Sequence, residues 1–396
     1  MSGLERDRLI ADTIALVRID SQNPGPGEGR VASWVRERLA AAGLDARVQR
    51  VQEGRENVLC EIEGTGEAPR LVLVAHMDTV PVGTGWTRPA LAGEIHGDRL
   101  YGRGAADMKA GLAVALNLLE RLAERPPPPG DVILAATVDE EGPEMAGAHA
   151  LAASGFLRPH DQVLALEPTG LRLRIAQVGL QWVAVAVVGR MAHAGRAHLG
   201  VNANHVTARI IERLAARVEA LPQRDPLLGR PLFTCGRICG GVAPNVVAGE
   251  CRAELDLRVV PPLTPDDALG LVRAVCEEVV SEFPGATASV KPLGAARPPV
   301  RAAEDSPIVR GLRRAHTQIT GEALPSGGAD GHEAYTDASM LAALSGSRSC
   351  TVYGPGSSDR AHVADEYVEL PDLETAGAVL VELLAGWTGD AQAPNA

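Results

Sequence analysis

The sequence predicts an α/β fold with a second, ferredoxin-like domain inserted into it, on three observations. Four apolar runs each end at polar residues, helical segments separate those runs, and between Val178 and Leu293 the pattern changes to strand, helix, strand, strand, helix, strand. The 396 residues exceed what one core usually supports, which favours two domains.

Taken in order, an N-terminal helix runs through Val17, a turn segment covers Ser21 to Gly29, and an amphipathic helix from Val31 to Ala42 is closed by Gly43. Extended segments follow at Ala46 to Val51 and Asn57 to Glu63. The four apolar runs are Leu71 to Ala75 before His76, Val132 to Thr137 before Asp139, Val163 to Leu166 before Glu167, and Cys350 to Tyr353 before a glycine loop; they read as buried parallel strands. Helices from Met108 to Glu124 and Met145 to Ser154 lie between them. The inserted βαββαβ pattern has strands at Gln181 to Val188, Phe233 to Cys239, Glu250 to Val259 and Ala286 to Val290, with helices at Val201 to Ala220 and Pro265 to Phe283. Helices from Ser306 to Thr320 and Tyr335 to Leu344 resume the first domain. The expected domains are therefore residues 1–177, 178–293 and 294–396, the first and last forming one unit.

A net charge of −12 and a pI near 5.4 repel a phosphate backbone, and no basic stripe offsets them, so nucleic acid is not expected as a partner. Only Lys109 and Lys291 among the 38 basic residues are lysine, a bias toward Arg. The segment Met1 to Ala15 lacks an uninterrupted apolar stretch, and no run of eighteen apolar residues follows, so neither a secretory signal nor a membrane span is expected. Six cysteines without a C-x-x-C pair read as buried thiols, and a cytoplasmic location fits best.

In open α/β sheets ligands bind beyond the carboxyl ends of the strands, where this chain places its chemically capable residues. They are His76 and Asp78 in H-M-D-T-V, Asp107 in Y-G-R-G-A-A-D-M-K, Glu140 and Glu141 in T-V-D-E-E-G, and Glu167 in L-E-P, with His362 in A-H-V-A-D-E downstream. Any one alone reads as a cap, a turn residue or a surface charge. Brought to one edge, the carboxylates resist joint ionisation unless cations compensate them. Mixed imidazole and carboxylate donors suit zinc, with manganese or cobalt as substitutes.

These segments resemble the co-catalytic zinc family that includes acetylornithine deacetylase, succinyl-diaminopimelate desuccinylase, aminoacylase and carboxypeptidase G, over about Leu9 to Glu369. The resemblance implies a zinc-peptidase-like mixed sheet with helices on both faces, the inserted domain serving dimerisation. It further implies two Zn2+ per chain (Co2+ or Mn2+ as substitutes), with Asp107 bridging, His76 and Glu167 on one ion, and Glu141 and His362 on the other. Glu140 becomes the general acid/base for attack of a metal-activated water on an amide, and Asp78 orients the His76 ring. His193 in G-R-M-A-H-A-G resembles the family histidine that reaches into the partner subunit's site as an oxyanion donor; a surface histidine is the plain alternative. Asn245 in G-G-V-A-P-N-V-V and Arg258 in L-D-L-R resemble substrate-binding residues, Arg258 being able to hold a carboxylate bidentately. Gly327 and Gly328, and Gly354 and Gly356 of G-P-G, let backbone amides approach the substrate or simply make tight turns.

The expected activity is cleavage of the amide of an N-acyl amino acid, deacetylase- or desuccinylase-like, by a homodimer. A dipeptidase or carboxypeptidase acting on a small peptide needs the same machinery and stays open. A nucleotide site fails because Gly102 and Gly104 lack a third glycine. Neither G-x-S-x-G nor H-E-x-x-H occurs, which argues against serine hydrolases and thermolysin-like proteases. A catalytically silent relative would have lost a ligand or the base, and His76, Asp107, Glu140, Glu141, Glu167 and His362 are all present.

Overall fold

The computed structural model describes residues 4–25, 27–324, 335–347 and 349–387. They form two compact units: one from residues up to Ala176, 301–324 and Thr336 onward, the other from Gln177 to Val300 with Tyr335.

The first unit is built on a six-stranded mixed sheet in the order Ala46–Gln52, Arg55–Ile62, Val132–Thr137, Leu71–His76, Gln162–Ala165, Cys350–Val352. The last four are mutually parallel, and the first two form an antiparallel hairpin that joins the edge of Val132–Thr137. Strands Leu71–His76, Val132–Thr137 and Gln162–Ala165 are buried at every position, as parallel strands covered on both faces require. Each Val or Leu side chain so buried stabilises by about 1.5–3 kcal/mol. Helix Ala110–Ala123 packs on strands Leu71–His76 and Val132–Thr137, and helix Asp337–Ser345 packs on Gln162–Ala165 and Cys350–Val352. The helix expected from Met108 starts at Ala110, because Asp107 and Met108 leave helical φ/ψ within the turn Ala105–Lys109.

Two elements of this unit were not anticipated. One is the C-terminal helix Leu370–Ala385, which packs on Pro307–Thr320. The other is a small antiparallel sheet of Glu94–His96, Arg99–Tyr101 and Tyr367–Glu369. Each of its strands has only three residues, too few for a period to declare itself.

The second unit has the βαββαβ order. Its antiparallel sheet runs Leu232–Gly240, Glu250–Val259, Gly179–Val188, Thr287–Arg297. In Glu250–Val259 every second residue (Cys251, Ala253, Leu255, Leu257, Val259) enters one core, with Val206, Ile210 and Leu214 of helix Ala203–Glu219 and Val272, Val275 and Val279 of helix Pro265–Ser281. Thr264 and Asp267 form a reciprocal capping box with Pro265 at the first helical position, which fixes where the second helix starts. The last strand runs past Leu293 to Arg297, so this unit closes at Val300.

Candidate metal centre

The parallel strands aim their carboxyl ends at one edge of the first unit. His76 is the last residue of its strand; Glu167 follows Gln162–Ala165; Glu140 and Glu141 follow Val132–Thr137 after Asp139, whose φ of 66° turns the chain. Asp107 lies in the irregular turn before helix Ala110–Ala123, and His362 (φ 63°) comes from the loop after Cys350–Val352.

These side chains meet. His76 Nε2 lies 3.1 Å from Asp107 Oδ1 and 3.7 Å from Glu167 Oε2, while His362 Nε2 lies 3.3 Å from Asp107 Oδ2 and 2.9 Å from Glu141 Oε1. The two oxygens of Asp107 thus face different imidazoles. Three groupings have ligand atoms within 4.8 Å of one another: His76, Asp107, Glu167; Asp107, Glu141, His362; and His76, Glu140, Glu141. The first two share Asp107, so five side chains could hold two cations with one carboxylate between them. Four carboxylates, if all ionised, would outweigh two imidazoles even with both rings protonated, a balance that divalent cations would correct.

The same imbalance sets the direction in which each group of the cluster is shifted. Burial alone would lower the pKa of His76, but Glu167, Asp107 and Glu140 carry it well above the ordinary histidine value. Hydrogen bonds to Asp107 and Glu141 raise His362 to about 10. Burial raises Glu167 to about 7, lifts Glu140 well above its ordinary value and raises Glu141 in the same direction. Burial pushes Asp107 the same way, yet the two imidazoles hold it far below that range.

Asp78 does more than face His76. The hydrogen-bond partner of His76 Nδ1 is the main-chain carbonyl of Asp78 at 3.0 Å, with the carboxylate Oδ1 at 3.6 Å. The carboxylate instead accepts the N–H groups of Glu140 (3.2 Å) and Glu141 (3.1 Å) and the side-chain amide of Asn23 (2.9 Å). Glu366, four residues after His362, accepts from the N–H of Ala106 (2.9 Å) and Asp107 (3.1 Å) and pairs with the buried Arg103 at 2.5 Å. Burial, followed by the Asp107 charge, raises Glu366 to about 7. Lys109, fully buried, donates to the Ile19 carbonyl at 2.8 Å, and burial lowers it to about 7. None of Asn23, Arg103, Lys109 or Glu366 was singled out for a role at the site, although all but Asn23 stand in the motifs quoted for Asp107 and His362. A buried charge is invisible until the partner distant in sequence is known.

In the second unit His193 is exposed, and its Nδ1 accepts the Gly195 N–H at 3.0 Å, which places the ring proton of the neutral form on Nε2. Asn245 is exposed on the adjoining loop, its carbonyl accepting the Ala194 N–H at 3.0 Å. Arg258 is elsewhere: it pairs with Leu180 at the opposite end of the sheet from Glu250, and its guanidinium makes two bonds to Asp256 (2.8 and 3.0 Å). Eight residue steps along the strand separate Glu250 from Arg258, about 26 Å at the usual rise, so His193 and Asn245 form one group and Arg258 another. Gly327 and Gly328 lie outside the described residues. At Gly354 a Cβ would sit 2.5 and 2.6 Å from the carbonyl oxygens of Leu166 and Glu167, so this glycine lets two chain segments meet beside Glu167.

The model of Peptidase family M20/M25/M40 matches residues 72–386. Acetylornithine deacetylase of Myxococcus xanthus is 31% identical over 390 residues, covering 96% of this chain and 98% of that protein. A probable succinyl-diaminopimelate desuccinylase of Staphylococcus epidermidis is 26% identical over 396 residues, covering 93% and 94%. Among solved structures, an M20 family metallo-carboxypeptidase from Sulfolobus solfataricus is similar with a TM-score of 0.81 at 20% identity, covering 96% and 98% of the two chains.

Proposed function

This chain belongs to Peptidase family M20/M25/M40, and within that family of metallohydrolases we propose that it is a two-metal amidohydrolase releasing the acyl group of an N-acyl amino acid. The observation that carries the reading is Asp107, whose two oxygens face His76 and His362 and which both ligand triads share. His76, Asp107 and Glu167 would hold one ion, and Asp107, Glu141 and His362 the other; the donor set favours zinc, with cobalt or manganese able to replace it. Such ions polarise an amide carbonyl and acidify the attacking water.

The chain's own residues supply the rest. Glu140, in the grouping with His76 and Glu141 but in neither of the shared triads, is the proton carrier: it accepts a proton from the attacking water and delivers it to the leaving amine. Asp78 holds the Glu140–Glu141 main chain through two N–H bonds. His193, with its proton on Nε2, is a donor for the oxyanion that forms on the carbonyl. Arg258 takes the substrate carboxylate by exchanging it for Asp256, and Asn245 binds the substrate beside His193.

Because Arg258 stands at the far end of its sheet from His193 and Asn245, the three serve one substrate only if two copies of the chain share each site. The reading is therefore of a homodimer assembled through the second unit. Among the described residues no helix is long and apolar enough to cross a membrane. All six cysteines are free thiols, and whereas Cys60, Cys251, Cys276 and Cys350 are buried as expected, Cys235 is half-buried and Cys239 exposed; free thiols suit a reducing cytoplasm. Hydrolysis of a small peptide is the second reading, favoured by the family and by the metallo-carboxypeptidase likeness in fold.

The test measures metal content and turnover on one sample, wild type beside Glu140→Ala, against N-acetyl amino acids, N-succinyl amino acids and dipeptides. Two zinc ions per chain in both proteins, with turnover only in wild type, supports the mechanism, and the preferred substrate decides between the readings. Wild type that binds no metal refutes it.

A further inference from the structure

The turn segment before the second helix reads in the sequence as a connector, yet it delivers Asn23 into the interior beneath the metal cluster. Asn23 is only 8% exposed, and its main chain is locked to the segment after His76: its N–H donates to the Thr79 carbonyl at 2.8 Å, and the Thr79 N–H donates to the Ser21 carbonyl at 3.1 Å. The side-chain nitrogen then reaches two carboxylates, Asp78 Oδ2 at 2.9 Å and Asp139 Oδ1 at 3.0 Å. An amide NH2 has two hydrogens, one for each.

The two carboxylates have separate tasks. Asp78, fully buried, receives the N–H groups of Glu140 and Glu141. Asp139 is anchored from the other side: Arg55 donates to its Oδ1 at 2.9 Å, its own N–H donates to Glu28 at 2.7 Å, and Arg55 is also paired with Glu28. Its second oxygen accepts the Ala146 N–H at 3.1 Å. Measured from one nitrogen, the two acceptor oxygens are at most 2.9 plus 3.0 Å, or 5.9 Å, apart. Two buried carboxylates that close repel unless a donor stands between them, and Asn23 is that donor.

We propose that Asn23 is a positioning residue for the general base: by bridging Asp78 to the Glu28–Arg55–Asp139 anchor, it fixes the Glu140–Glu141 main chain at the cluster. Its effect on turnover rests on the reading of Glu140 as proton carrier; its effect on the main chain does not. The bridge needs two donors on one short side chain, so alanine removes it and serine retains at most half of it.

Asn23→Ala is compared with wild type in the full-length protein. In the zinc-loaded enzyme kcat falls tenfold or more, KM stays within about twofold, and two zinc ions per chain are retained. In the metal-free protein, hydrogen exchange at the amides of Glu140 and Glu141 accelerates. Asn23→Ser gives an intermediate kcat and takes the place of the alanine variant if that protein does not fold. Unchanged exchange at residues 140 and 141 in a folded variant overturns the proposal, and so does faster exchange with an unchanged kcat. Wild type that turns over no acyl amino acid or peptide, together with exchange that still responds to Asn23, removes the catalytic reading and leaves the anchoring of the main chain established.

Discussion

Replacing Gly111 by alanine sets two effects of opposite sign against each other. Gly111 is the second residue of helix Ala110–Ala123, and exchanging a helical glycine for alanine stabilises by up to about 1 kcal/mol. Opposing this, the new Cβ would lie 2.1 Å from the Leu166 carbonyl oxygen and 2.9 Å from its Cβ. Reaching a separation of about 3.0 Å requires the helix or Leu166 to move by about 0.9 Å. Leu166 cannot yield freely, since its N–H is bonded to the Val74 carbonyl and its side chain is buried. Overpacking of this kind costs about 1–3 kcal/mol, so the clash outweighs the propensity gain. The expected net loss is on the order of 1–2 kcal/mol, or a melting temperature lower by roughly 2–4 °C for a unit of this size. The displacement also passes to Glu167, the next residue, and exceeds the tolerance of about 0.5 Å within which a site keeps its geometry. Zinc affinity, measured by competition with a chelating dye, should fall about 10- to 100-fold. A Gly111→Ala protein that melts higher than wild type and binds zinc equally well would refute the argument.

Other expectations concern protons, subunits and thiols. Metal loading should release protons near neutral pH, because His76 and His362 are held protonated in the ion-free cluster and must be deprotonated to ligate; calorimetric titrations in buffers of different ionisation enthalpy measure the number, and zero release contradicts the assignment. With His362 at about 10, zinc affinity rises with pH from neutrality toward that value. Mixing Glu140→Ala with His193→Ala subunits should restore part of the activity through heterodimers, and no recovery despite verified subunit exchange argues against a shared site. A thiol reagent at pH 8 should label the exposed Cys239 in the native protein but not Cys60, Cys276 or Cys350, until denaturant exposes them. Burial raises those three thiols to about 11, 11 and 12, so each favours the folded state fully below its unfolded value near 9 and loses that contribution as pH rises through the folded one. Denaturation midpoints should therefore fall between pH 9 and 12, and substituting the three cysteines by alanine should flatten that fall.

The cluster was legible because parallel strands leave a readable mark: an apolar run that stops at a residue able to do chemistry, as Leu71–His76 stops at His76. The second unit was legible for a related reason, since alternation along Glu250–Val259 and helical spacing along Ala203–Glu219 are local properties. What could not be read are the long-range polar contacts. Glu366 bonds the Asp107 N–H across 259 positions, and Asn23 reaches Asp139 across 116. Nothing in the neighbourhood of either residue encodes the partner. The helix Leu370–Ala385 was missed despite adequate length; its buried residues Leu370, Leu373, Ala376, Gly377, Val379, Leu380, Leu383 and Leu384 recur every three or four positions, a helical spacing that was available in the sequence.

The order of the strands also fixes a timetable for synthesis. Strand Gln162–Ala165 is synthesised early, but its outer neighbour Cys350–Val352 is separated from it by 350 minus 165, or 185, positions that include the entire second unit. At about 5–20 residues per second the ribosome needs roughly ten to forty seconds to supply them. Throughout that interval the strand lacks the outer neighbour that covers it in the folded protein, and an uncovered strand edge is a template for pairing with another chain. His76, Asp107 and Glu167 have all emerged by then, whereas His362 has not. Residues 350 to 362 thus supply both the strand that covers this edge and the imidazole that completes the second triad.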